Sequence, residues 1–211
     1  MKILKTIALS LVVIVALLAI IGLFLPSKWE SSVSLNMNAS SEQIYTYVAN
    51  LKKWQEWSPW NTDQDPTLTY TYTGPEVGVD AQSNWTSKSM GTGWLKITKA
   101  DPMTGVNYDL FIDMGFESTL QGSIAFEKYG DMTKVTWTDK GDNGNNIILK
   151  WMSLLMRPMM KGQLNAGLTK LQEVVTASEP RFGSQDYPGN GTVHCRMVWS
   201  FKGLSHAASV E

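Results

Sequence analysis

Histidine is the usual side chain for proton transfer near neutral pH, and residues 29–176 of this chain contain none. The two that exist, His194 and His206, lie near the C-terminus. A Ser–His or Cys–His nucleophilic system would have to draw its base from there. The single cysteine, Cys195, permits no intramolecular disulfide. No His/Cys cluster has metal-ligand spacing, and no glycine-rich loop follows a strand in the phosphate-cradling pattern. Neither a metal nor a cofactor is therefore expected. Gly91-Thr92-Gly93 reads as a turn or bulge. Asp63 and Asp65 could do acid–base work or hold a cation, but in a Pro-containing loop they read as a solvated turn. No catalytic set is assigned.

The densest aromatic signal is Lys52-Lys53-Trp54-Gln55-Glu56-Trp57-Ser58-Pro59-Trp60. On a helical turn Trp54 and Trp57 share a face, and Pro59 ends that turn and leaves Trp60 in a loop. Such a group can wall or gate a site for an apolar ligand. It can equally be a corner packed onto a sheet. The chain has nine tryptophans and eleven methionines, which suit either a core or an adaptable apolar pocket.

The elements that must hold these residues follow from periodicity. Trp29, Val33, Leu35 and Met37 alternate with polar residues and predict a strand. Ser40 and Gln43 fit a capping box opening a helix from about Ser41 to Asn50, and a second helical piece covers Lys52 to Trp57. Six more strands are expected at about Leu68–Thr73, Asp80–Ser87, Gly91–Lys99, Gly105–Met114, Glu117–Tyr129 and Met132–Asp139. Gly130-Asp131 is a hairpin signal. From Asn146 the period becomes helical through Ile148, Trp151, Leu155, Met159, Leu164, Leu168, Leu171 and Val175. Pro158 is expected to kink or break this helix, with the methionines around it facing the sheet. Seven short strands with close turns and one long helix make an α+β antiparallel architecture.

Ahead of this lies Ile7–Leu25, an apolar run without a charge. As a helix it would be about 28 Å long, close to the ~30 Å hydrocarbon core of a bilayer. It is longer than a signal-peptide core of about 7–15 residues, and no Ala-x-Ala site follows. A retained anchor over residues 1–26 is the preferred reading over a cleaved signal. Lys2 and Lys5 precede the run and Lys28 follows it, which favours a cytoplasmic N-terminus and a globular domain on the exported side. Residues 27–177 form the domain. Residues 178–211 read as a Pro/Gly-rich linker and an extra strand-like stretch from Val193 to Phe201. A net charge of −1, from 18 basic and 19 acidic residues without a long block of either, argues against nucleic acid.

The order strand, two short helices, six strands, long helix resembles the helix-grip fold. The Trp54–Trp60 stretch is similar to the W-x-x-W-S-P-W segment of the polyketide cyclase/dehydrase and lipid-transport branch of the START-like (SRPBCC) superfamily. The resemblance extends over Asn38–Ile44, Tyr72–Val79 and Thr133–Trp137, and covers about residues 29–176. It implies a curved seven-stranded sheet wrapped on the C-terminal helix, with a cavity between them for a lipid or another hydrophobic small molecule. Trp54, Trp57, Trp60, Trp85, Trp94 and Tyr108 would line or gate it, and Met152, Met156 and Met159 would supply a flexible wall. The leading expectation is a membrane-anchored binding domain. The alternatives are a cyclase or dehydratase using Asp109, Asp113 or Tyr108 as acid or base, and a chaperone-like interaction domain.

Overall fold

A computed structural model describes residues 2–178. The strand-like stretch expected at 193–201 lies outside them. Helix α1 (Lys2–Phe24) precedes β1 (Lys28–Met37), and the short helices α2 (Ser41–Val48) and α3 (Trp54–Trp57) follow. Then come β2 (Thr69–Thr73), β3 (Gln82–Ser87), β4 (Gly91–Asp101), β5 (Gly105–Asp113), β6 (Glu117–Tyr129), β7 (Met132–Asp142) and α4 (Ile147–Ala177). The strands form one antiparallel sheet in the order β1-β7-β6-β5-β4-β3-β2. Five consecutive hairpins build β2 to β7, and β1 closes against β7, the last strand.

Local chemistry sets these boundaries. The Ser40 hydroxyl accepts from the Gln43 amide at 3.2 Å, and the Gln43 side chain accepts from the Ser40 amide at 2.7 Å. Two of the amides left unpaired at the start of α2 are thereby satisfied. Gly130 has a φ of +60° in the β6–β7 turn, a conformation open to glycine.

Strand alternation gives the sheet one inner face. Val135 and Trp137 of β7, Ile124 and Phe126 of β6, Val106 and Tyr108 of β5, and Leu95 and Ile97 of β4 are all buried there. The second half of α4 covers this face with Leu164, Leu168, Leu171 and Val175, all fully buried. Gly167 lets the helix approach closely, because a Cβ there would meet the Trp137 ring and the Pro59 side chain. The expected break at Pro158 does not occur: α4 runs through it as one helix. Pro158 deprives the Leu154 carbonyl of its helical donor, but Leu154 is exposed, so water can satisfy that carbonyl.

Candidate functional site

One row across the sheet carries the most unusual chemistry. In register, Tyr108 of β5 lies opposite Gly122 of β6, Gly122 opposite Asp139 of β7, and Asp139 opposite Ser31 of β1. Directly opposed residues share a face, so all four point inward. Tyr108 and Asp139 are two strands apart, roughly 9–10 Å at 4.7–4.9 Å per strand. The tyrosine bridges that gap by lying over Gly122, where any Cβ would overlap its ring and hydroxyl. Its hydroxyl donates to Asp139 Oδ1 at 2.6 Å and accepts from Trp137 Nε1 at 2.7 Å. The buried hydroxyl therefore has both a donor and an acceptor partner. Ser31 Oγ is buried in the same row without a hydrogen-bond partner among the described residues.

Burial pushes the Asp139 carboxyl up to about 6, against the smaller opposing effect of the Tyr108 hydrogen bond. Burial and the adjacent carboxylate push the Tyr108 phenol well above its ordinary value. Asp139 thus changes charge close to neutral pH, whereas an ordinary aspartate would not.

This pair lines a cavity of about 330 Å³ between the sheet and α4. Trp54, Trp60, Trp85, Leu110, Leu120 and Trp137 contribute apolar walls, and Met90, Met114, Met156 and Met159 ring its outer end. Trp54, Trp57, Trp60 and Trp137 pack edge-on or tilted, with ring centroids 4.8 to 5.9 Å apart. The Trp54 indole donates to the Val48 carbonyl at 2.9 Å, and Tyr70 fixes the Trp60 loop by donating to the Trp60 carbonyl at 2.9 Å. The aromatic wall is thereby held to α2 and to β2.

Six of the nine residues expected at the site meet at this cavity: Trp54, Trp60, Trp85, Tyr108, Met156 and Met159. Three do not. Trp57 is fully buried behind the wall, packed on Trp54 and Trp137. Trp94 faces the other side of the sheet, stacked on Phe111, because its neighbour Leu95 faces in. Met152 lies on an exposed part of α4, one turn before the cavity-lining Met156. Asp109 and Asp113 alternate with the cavity residues Tyr108, Leu110 and Ile112 and so point away from it; Asp109 instead accepts from Gln121 at 3.3 Å. Asp139 and Trp137 are among the cavity residues that sequence reasoning missed, with the wall residues Leu110, Leu120, Met90 and Met114. For Asp139 and Trp137 the strict alternation Thr133, Val135, Trp137, Asp139, all buried, was the available signal.

A second buried acid has a structural environment. Asp65 accepts from the Ser87 hydroxyl, from Ser89 at 2.5 Å and from Thr67 at 2.7 Å. These hydrogen bonds hold its carboxyl well below the usual range, and they tie the loop before β2 to the β3–β4 turn. No group of three or more His, Cys, Asp or Glu placed to hold a metal occurs among the described residues.

Norcoclaurine synthase from Thalictrum flavum, solved with a transition-state analogue, superimposes with a TM-score of 0.53 at 14% identity. The match covers 71% of this chain and 95% of that one. Protein MLL2253 from Mesorhizobium loti gives a TM-score of 0.51 at 10% identity, over 72% of this chain and 100% of the other. At such identities the likeness concerns the fold alone. No curated protein sequence matches this chain. The family model for polyketide cyclase / dehydrase and lipid transport matches residues 28–176, which is β1 through nearly all of α4. The match spans every strand and all the walls of the cavity, and the chain belongs to the polyketide cyclase/dehydrase and lipid transport family.

Proposed function

We propose that this protein is a membrane-anchored binding domain for a largely apolar small molecule or lipid with one hydrogen-bonding end. The observation that carries the reading is the cavity itself. Its walls are mainly tryptophan, leucine and methionine, and the hydrogen-bonded Tyr108–Asp139 pair is among the few polar groups that line it, with Gln55, Ser58, Ser83 and Gln163. Ligand sites are commonly clefts of about 300–1,000 Å³ with apolar walls and a few placed polar groups. This cavity stands at the lower end of that range, which favours a compact ligand or a single acyl chain. The Tyr108 hydroxyl is already committed to Asp139 and Trp137. The Asp139 carboxylate retains acceptor capacity, so the ligand's polar end is best a donor such as a hydroxyl.

The anchor reading rests on Ile3–Phe24, a helix long and apolar enough to cross a bilayer and almost entirely exposed. The placement of Lys2 and Lys5 before the helix supports a domain on the exported side.

The test uses the full chain in lipid nanodiscs and follows tryptophan emission as dodecanol or dodecane is added. Saturable binding is expected, tighter for the alcohol, and weakened when Leu110→Phe and Leu120→Phe fill the cavity. A response without saturation, or one unaffected by filling, defeats the reading.

A second reading has one observation in its favour. A carboxyl lifted to about 6 inside an apolar cavity can exchange a proton at neutral pH. Under that reading Asp139→Asn abolishes turnover of a bound substrate while sparing its binding. If Asp139→Asn weakens binding and no ligand is turned over, the binding reading stands alone.

A further inference from the structure

The first half of α4 is apolar where it should be polar. Ile148, Met152, Leu155 and Met159 step by four, three and four residues, and so form one stripe along the helix. All four are exposed, Leu155 by 73% and Ile148 by 60%. Met114 and Phe116, at the turn between β5 and β6, are exposed as well. Met114 and Met159 also line the cavity, so the apolar surface continues into its open end.

The contact between α1 and α4 indicates what covers this surface. The Trp151 indole donates to the Leu18 carbonyl at 3.2 Å. Lys150, buried, directs its ammonium to the Leu23 carbonyl at 3.5 Å, where a cation complements the C-terminal end of the α1 dipole. Gly22 makes room for Ile147 and Trp151, whose side chains a Cβ there would meet. Ile3–Phe24 is 22 residues, about 33 Å at 1.5 Å per residue, a match for the ~30 Å hydrocarbon core. Leu18 lies six residues before Phe24, about 9 Å back along the helix. With the end of α1 near the headgroup boundary, an indole bonded there lies roughly 7 Å inside it, in the outer part of the acyl-chain region. The start of α4 is therefore held at the surface of whatever membrane α1 enters.

We propose that the Ile148–Met159 stripe and the Met114–Phe116 turn rest in the outer part of that leaflet, so that the cavity opens onto the acyl chains. The occupant is the bilayer that holds α1, and the cavity takes its ligand from the bilayer without passage through water. The inference rests on the anchor reading, and the experiment separates the two.

Full-length protein carrying Cys195→Ser is reconstituted at one copy per nanodisc. A polarity-sensitive fluorophore is attached to Leu155→Cys, Met159→Cys or Phe116→Cys in turn. Leu11→Cys within α1 and Lys128→Cys at the far β6–β7 turn serve as references. Nitroxide-bearing phospholipids are the quencher. A blue shift and loss of most emission are expected at 11, 116, 155 and 159, and neither at 128. Quenching at 11 without quenching at 116, 155 and 159 overturns the docking proposal and leaves the anchor. No quenching at 11 overturns both. A blue shift at 155 and 159 without quenching by the lipid-borne nitroxide means that protein covers the stripe, and also overturns the proposal.

Discussion

Replacing Asp139 by Asn tests the site at its most unusual group. The asparagine carbonyl can still accept from the Tyr108 hydroxyl, so the row Tyr108–Gly122–Asp139 keeps its geometry while losing a titratable group. Burial raises the Asp139 carboxyl from 3.8 in the unfolded chain to about 6 in the fold. A folded value above the unfolded one means that the fold holds the proton more tightly. The stabilisation is fully present below 3.8 and is lost as pH rises through about 6. At 1.36 kcal/mol per pH unit this amounts to about 3 kcal/mol. The assay is urea unfolding of wild type and Asp139→Asn, each full length in nanodiscs, followed by tryptophan emission across that pH range. Subtracting the two curves cancels the other carboxylates. The variant should gain on wild type by about 3 kcal/mol as pH rises from below 3.8 to above 6. A flat difference refutes the buried, charge-changing carboxyl. A gain that grows toward acid refutes the direction of the effect.

Three other substitutions separate the roles of neighbouring residues. Gly122→Ala puts a methyl where the Tyr108 ring lies, so it should cost about 1–3 kcal/mol in urea unfolding and weaken dodecanol binding. Trp57→Ala should cost about 3–5 kcal/mol, because the ring is fully buried, whereas Trp60→Ala, at the cavity wall, should reduce dodecanol affinity with a smaller loss of stability. For Asp65→Asn the sign is opposite to that at Asp139. The depressed Asp65 carboxyl stabilises the fold above its unfolded value of 3.8. The variant should therefore lose stability relative to wild type at neutral pH and recover the difference in strong acid, read in the same unfolding series.

The strands were legible because a two-residue period survives without knowledge of their partners. β6 spans Glu117–Tyr129 as expected, and β3, β5 and β7 shift at their ends by one to three residues. The same period also carried information that a search for familiar catalytic types passes over. Applied to β4, it turns Trp94 outward because Leu95 and Ile97 face in. In β5 it turns Asp109 and Asp113 outward, and in β7 it brings Asp139 in beside Trp137. The site depends further on pairings of residues distant in sequence. Gly122 matters because two strands bring Tyr108 and Asp139 to either side of it, which no local pattern records. The packing of Trp151 on Leu18 joins residues 133 positions apart. Pro158 is the reverse case, where a strong local signal for a break yields because the carbonyl it orphans is on an exposed turn.

The central claim, that the sheet and α4 enclose a working ligand site, is tested most directly by native mass spectrometry of the full chain released from nanodiscs. After equilibration with dodecanol, the account predicts a single one-to-one adduct. That adduct should be lost in the Leu110→Phe/Leu120→Phe variant and retained in Trp94→Ala, whose ring lies on the opposite face of the sheet. Multiple adducts in statistical proportion, or one adduct equally abundant in the filled variant, would contradict it.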